Sequence, residues 1–122
     1  MRFTQDLTSN VNVIRSYGPG ELRINDEAFR TTMIVASSAT RAAPSITNAA
    51  ELDTGHAALL LELRPEVVLI GTGQRQVFPA PAFGVQFLKL GIGFEVMDTG
   101  AACRTFNVLV SEQRLVVALL IV

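Results

Sequence analysis

Cysteine occurs once, at Cys103, histidine once, at His56, and tryptophan not at all. A lone cysteine cannot close an intramolecular disulfide, which excludes a disulfide-built scaffold and fits a reducing, cytoplasmic compartment. A lone histidine without a cysteine or second histidine at ligand spacing leaves no zinc pattern, so no metal site is expected. Charge of one sign is also scarce. Ten basic and eleven acidic residues are scattered along the chain, for a net charge of −1. Aromatics are few and do not interleave with arginine. Phosphate binding needs clustered cations, so no nucleic-acid partner is expected. Residues 1–10 contain Arg2 and Asp6 and no apolar stretch; they read as loose chain and not as a secretory signal. The longest apolar run, Leu115–Val122, is eight residues, well short of the ~20 that a membrane helix needs. It reads as a buried strand.

What is present suffices for a core. Hydrophobic residues make up 49% of the 122, enough for one domain spanning residues 1–122. Val11, Val13, Leu22 and Ile24 alternate with polar residues around the turn Gly18-Pro19-Gly20, which marks half-buried strands. Asn25-Asp26 makes a second turn, and Phe29–Ser37 reads as one longer strand. An antiparallel hairpin or meander is therefore expected first. Residues 38–50 read as a loop at the upper end of ordinary connection lengths.

The second half alternates differently. A helix is expected from Ala50 to Arg64, with Glu51 and Asp53 at its N-terminus, where negative charge is favoured, and Pro65 ending it. Val67–Ile70 is a short strand that Gly71-Thr72-Gly73 terminates. Pro81 suits the first turn of a helix whose buried stripe is Phe83, Phe87 and Leu90, with Gly91 as its cap. Gly93–Met97 is the next strand. Asp98 or Thr99 then caps a helix running to about Gln113, and the apolar Leu115–Ile121 is a central strand. Such strand–helix alternation requires a mainly parallel sheet with right-handed crossovers.

Chemistry is sparse. The glycines of Gly71-Thr72-Gly73 suggest a phosphate cradle, but G-x-G-x-x-G fails because position 76 is Gln and no helix opens directly after the turn. No cofactor is expected. Cys103, among Ala101, Ala102 and Phe106, reads as a buried, inert thiol. Glu95 and Asp98 could in principle form an acid–base pair, yet one lies in a strand and the other caps a helix. Ligands of open parallel sheets gather beyond the carboxyl ends of strands. Gly71, Thr72, Gly73, Arg75, Glu95, Asp98 and Thr99 are therefore the candidate ligand residues; the alternative is two well-capped turns with nothing bound. Arg104, Asn107, Ser111 and Arg114 recur at i, i+3, i+7 and i+10, forming either a partner surface or a solvated helix face. No residue set amounts to a catalytic constellation.

Gly71-Thr72-Gly73, the run Gly93-Phe94-Glu95-Val96-Met97-Asp98-Thr99, Ala102, Thr105-Phe106-Asn107 and Glu112-x-Arg114 together resemble a family of small bacterial and archaeal proteins. Its mitochondrial member is a respiratory complex I (NADH dehydrogenase) assembly factor. These marks cover about half the chain, from Pro65 onward. The family's Glu-Gly-Arg at the end of the last helix reads Glu112-Gln113-Arg114 here, and the aromatic expected after the long strand is replaced by Ile46 as the nearest bulky residue. The resemblance implies a three-layer α/β fold with a mixed, mainly parallel central sheet plus an N-terminal β-hairpin, and no established enzymatic activity. It further implies a protein partner and an accessory role in assembling a respiratory complex. A monomer and a small homo-oligomer are both open.

Overall fold

The computed structural model describes residues 11–122, so the reading of residues 1–10 lies outside it. Three strands, β1 (Ile14–Gly18), β2 (Glu21–Ile24) and β3 (Glu27–Phe29), form an antiparallel meander. The alternating pattern that begins at Val11 becomes a strand only at Ile14. Asn12 is diverted: its N–H donates to the Ser37 carbonyl at 2.6 Å and its Nδ2 to the Ala36 carbonyl at 2.8 Å.

The single strand expected over Phe29–Ser37 is two. β3 ends at Phe29, and β4 (Met33–Ala36) belongs to a different sheet. Phe29–Ser37 holds no glycine or proline, so nothing in it marks a change of sheet. At the crossing, buried Thr32 donates its hydroxyl to the Ile46 carbonyl at 2.6 Å. The expected loop over 38–50 also needs correction. Ala39–Ala42 is strand β5, paired antiparallel with β4, and all four of its residues are exposed. An edge strand of this kind has no alternation to betray it.

The helix expected from Ala50 is likewise in two pieces. A single 3₁₀ turn, Ala49–Glu51, precedes α1 (Thr54–Leu61). Asp53 caps α1, its carboxylate accepting from the Gly55 N–H at 3.0 Å and the His56 N–H at 3.1 Å, while His56 Nδ1 accepts from the Asp53 N–H at 3.1 Å. The one histidine is thus half of a capping box.

Then follow β6 (Val67–Gly71), α2 (Pro81–Leu88), β7 (Gly93–Met97), α3 (Thr99–Ser111) and β8 (Val116–Leu120). The second sheet is mixed, in the order β5-β4-β8-β6-β7, with β8–β6 and β6–β7 parallel and β5–β4 and β4–β8 antiparallel. β8 lies at its centre and is buried at every position, as the apolar run requires. Period-two alternation sorts the strands between two cores. Val68, Ile70, Val117 and Leu119 face α1 and α2. Leu69, Val116, Ala118 and Leu120 face α3 and the meander. The result is three layers. Phe83 and Phe87 of α2 meet Phe94 of β7 at ring-centroid separations of 5.7 and 5.4 Å, which seats that helix on the sheet edge. Leu90, expected in the same buried stripe, lies beyond the helix end and is 59% exposed.

Candidate functional site

Because β6 and β7 are adjacent and parallel, their carboxyl ends share one rim. The Gly71-Thr72-Gly73 turn follows β6, and Asp98-Thr99-Gly100 follows β7 and opens α3. Contact between the turns is intimate. A Cβ on Gly71 would sit 3.0 Å from the Thr99 Cα and 3.0 Å from the Leu120 Cδ2, so any side chain there would press the two turns apart. The Thr99 N–H donates to the Gly73 carbonyl at 2.9 Å. The Gly73 N–H donates to Thr99 Oγ1 at 2.8 Å, and that hydroxyl donates onward to the Ile121 carbonyl at 2.5 Å. Thr99 therefore ties three strand ends together from a buried position.

Thr72 has a similar internal role. Its hydroxyl donates to the Arg75 carbonyl at 2.5 Å and accepts from the Val77 N–H at 3.1 Å, closing the loop that follows Gly73. Gln76 Nε2 caps the Val96 carbonyl at 2.9 Å. A dinucleotide cradle needs a helix opening on the glycine turn, and here α2 begins only at Pro81. The helix whose N-terminus does meet the turn is α3, and its cap Asp98 accepts from the Ala101 N–H at 2.9 Å.

Above this rim lies a cleft of about 380 Å³. Of the residues singled out in the sequence, Gly73, Asp98, Thr99 and Arg104 line it; Gly71, Thr72, Arg75 and Glu95 do not. The remaining walls were not foreseen: Tyr17, Gly18 and Pro19 from the β1–β2 turn, Gln74, Gly100, and Ile121 and Val122 after β8. The Tyr17 hydroxyl accepts a hydrogen bond from the Arg104 guanidinium, which lies 5.8 Å from the ring centroid. Gly100 permits this, since a Cβ there would meet Tyr17 Cε1 at 2.6 Å. Nothing local to Tyr17 in the sequence signals a contact made 87 residues away.

The polar stripe expected along α3 divides, and Arg114 falls outside that helix, which ends at Ser111. Asn107 is engaged inside the chain, its Oδ1 accepting from the Ile14 N–H and its Nδ2 donating to the Ile14 carbonyl, both at 2.9 Å. Arg114 pairs with Glu66 at 3.5 Å, and Ser111 donates to the Val108 carbonyl at 2.6 Å. Cys103, one residue before Arg104, is buried, and burial pushes its thiol up to about 12. A thiol so placed is neutral and shielded. Among the described residues no three His, Cys, Asp or Glu side chains converge as a metal site.

Fold and site together define a class: a three-layer α/β protein whose strand-end rim is walled by an N-terminal β-meander. Within that class, the chain belongs to the family described as protein of unknown function (DUF498/DUF598), which matches residues 14–121. It is similar to the 13 kDa major membrane protein of Francisella tularensis, 39% identical over 66 residues that cover 54% of each chain. It is also similar to NADH dehydrogenase (ubiquinone) 1 alpha subcomplex assembly factor 3 of Danio rerio, 47% identical over 62 residues, covering 51% of this chain and 36% of that one. The match thus spans about half the length of the first relative and about a third of the second. Among solved structures, an outer membrane protein of Bartonella henselae superposes with a TM-score of 0.79 at 34% identity, over 92% of this chain and 95% of that one. A Mth938-like domain of Bordetella pertussis gives 0.77 at 29%, over 93% and 87%. Among the described residues of the present chain, no helix is long and apolar enough to cross a membrane.

Proposed function

We propose that this chain is a non-enzymatic interaction protein, an accessory factor that assists assembly of a respiratory complex by protein contact and works from the cytoplasm. The observation that carries this reading is the sequence shared with the complex I assembly factor, which extends over about half of this chain. Supporting it, the hydroxyls of Thr72 and Thr99 are engaged in holding the rim together. Arg104 and Ser111 on α3, and Arg114 just past its end, are exposed and within reach of a partner. A lone free thiol fits the cytoplasm. Affinity capture of the full chain from its host cells tests the reading. Recovery of respiratory subunits or their known assembly proteins is expected, and their consistent absence overturns it.

A second reading has one specific observation in its favour, the cleft above the rim, where Asp98, Arg104 and Tyr17 bring polar groups to a largely apolar cavity. Such a site suits a small ligand. Thermal-shift screening against metabolite sets would reveal one as a rise in melting temperature that Arg104→Ala removes, and a screen without hits disposes of the reading.

A further inference from the structure

The cleft above the rim carries two charged side chains, Asp98 and Arg104, and they are unequally satisfied. As the cap of α3, Asp98 accepts from the Ala101 N–H at 2.9 Å, and the helix dipole favours its negative charge there. Arg104 has no such counterpart. Among the described residues its side chain makes one hydrogen bond, to the neutral Tyr17 hydroxyl, and no carboxylate lies within ion-pair distance of it.

Charges of the adjoining elements leave that imbalance in place. Tyr17 pairs across the hairpin with Leu22, which is buried in the core beneath α3, so this pair faces the helix. Glu21 and Arg23 pair with Gly18 and Ser16 and therefore lie on the opposite face of the meander. Glu21 pairs there with Arg30 at 3.4 Å. Arg15 and Arg75 do not line the cleft.

The donors also have a direction. Arg104 holds Tyr17 through Nη1, which leaves the N–H groups of Nε and Nη2 for a ligand. Tyr17 accepts in that bond, so its own O–H proton remains to be donated, and accepting from a cation polarises it further. A guanidinium fork beside a hydroxyl donor matches the two oxygens of a carboxylate. Pro19, Ile121 and Val122 supply apolar wall around the same space. Its volume of about 380 Å³ lies near the lower end of the ~300–1,000 Å³ of small-molecule sites. A single guanidinium suits a single negative charge, because a dianion would meet Asp98 as a like charge in the same cleft.

We propose that the cleft binds a small monocarboxylate with an apolar body, its carboxylate held by Arg104 and Tyr17. This rests on the small-ligand reading and goes further by fixing the charge of the ligand. The test is an NMR titration of the isotope-labelled full chain with benzoate, benzamide, benzylamine and phenyl phosphate at neutral pH. Benzoate is expected to shift the amide signals of Gly73, Gly100 and Arg104 saturably, less so in high salt. Its affinity should exceed that of benzamide on the order of tenfold. Arg104→Gln should lower benzoate affinity on the order of tenfold or more, since it removes the charge and the fork. Tyr17→Phe, which keeps the ring as a wall, should lower it less and keeps the test valid if Arg104→Gln fails to fold. Absence of benzoate shifts at these residues overturns the proposal. So does benzamide, benzylamine or phenyl phosphate binding as tightly as benzoate, or benzoate binding that neither variant weakens. A tighter neutral or cationic probe would overturn the monocarboxylate and leave the small-ligand reading standing, which falls only with the metabolite screen.

Discussion

Thr99 is a single hydroxyl on which three chain segments depend. It accepts from the Gly73 N–H and donates to the Ile121 carbonyl while buried under the rim. Replacing it with the isosteric valine leaves both backbone groups without a partner, and a buried unpaired group costs far more than a made bond contributes. Thr99→Val should lose about 2 kcal/mol of stability, measured by urea unfolding. Cys103 gives a second prediction at this scale. Burial is the main cause that raises its thiol from an ordinary 9.0 to about 12; Arg104 opposes the shift and Asp98 adds to it. The unfolded chain sheds this proton first, so between those two values the native state holds more protons and stability falls as pH rises. Below pH 9 this group leaves stability unchanged. In Cys103→Ala the decline above pH 9 should be shallower than in the parent, followed by chemical denaturation at a series of pH values. Sequence placed Cys103 in an apolar setting correctly because its neighbours on one helix face, Ala102 and Phe106, are close in the chain. The part Thr99 plays was hidden, since its partners lie 26 and 22 residues away.

At the scale of elements, the ends of α2 and α3 are built alike. After α2 the Ile92 N–H reaches the Phe87 carbonyl at 3.1 Å and the Gly91 N–H the Leu88 carbonyl at 3.0 Å. After α3 the Arg114 N–H reaches Leu109 at 3.0 Å and the Gln113 N–H reaches Val110 at 2.9 Å. Both are Schellman closures, which place one residue in the left-handed region. Gly91 occupies it at φ +75, but after α3 the position falls to Gln113 at φ +63. There a Cβ crowds the following carbonyl. Gln113→Gly should therefore stabilise the chain by about 1 kcal/mol, visible as a raised midpoint in urea or heat. This also explains why the related pattern carries glycine between the Glu and the Arg. The end of α3 was read to within two residues, at about Gln113 against Ser111, whereas α1, expected to run up to Pro65, stops at Leu61. Strands were unevenly legible as well. β8, apolar throughout, was legible as central, while exposed β5 resembled a loop.

Across the whole molecule, the meander joins the rest of the chain through few polar contacts. Asn107 makes two of them, presenting its amide to the Ile14 N–H and carbonyl as a neighbouring strand would. Leu22 and Ile24 add apolar burial in the core beneath α3. Asn107→Ala should cost about 2 kcal/mol by leaving the Ile14 groups unpaired. The loss should be local: hydrogen exchange is expected to accelerate across β1–β3 while β6 and β8 keep their protection. Uniform acceleration would show instead that the meander and the five-stranded sheet unfold as one unit. The cleft depends on the same attachment, since Tyr17 forms its wall only while the meander is docked.

The strand–glycine turn–helix–strand–helix–strand order of the second half was determined by local chemistry alone. Periodicity, proline, glycine and caps act over a few residues and are written where they act. Sequence also placed both glycine-containing turns at strand ends, but that they share one rim follows from the parallel pairing of β6 with β7. Tertiary structure alone decided what stands above that rim. It brought Tyr17 to Arg104 and engaged Thr72 and Thr99 within the turns. Those outcomes depend on which surfaces meet across long chain separations, and no residue carries that information in its immediate neighbours.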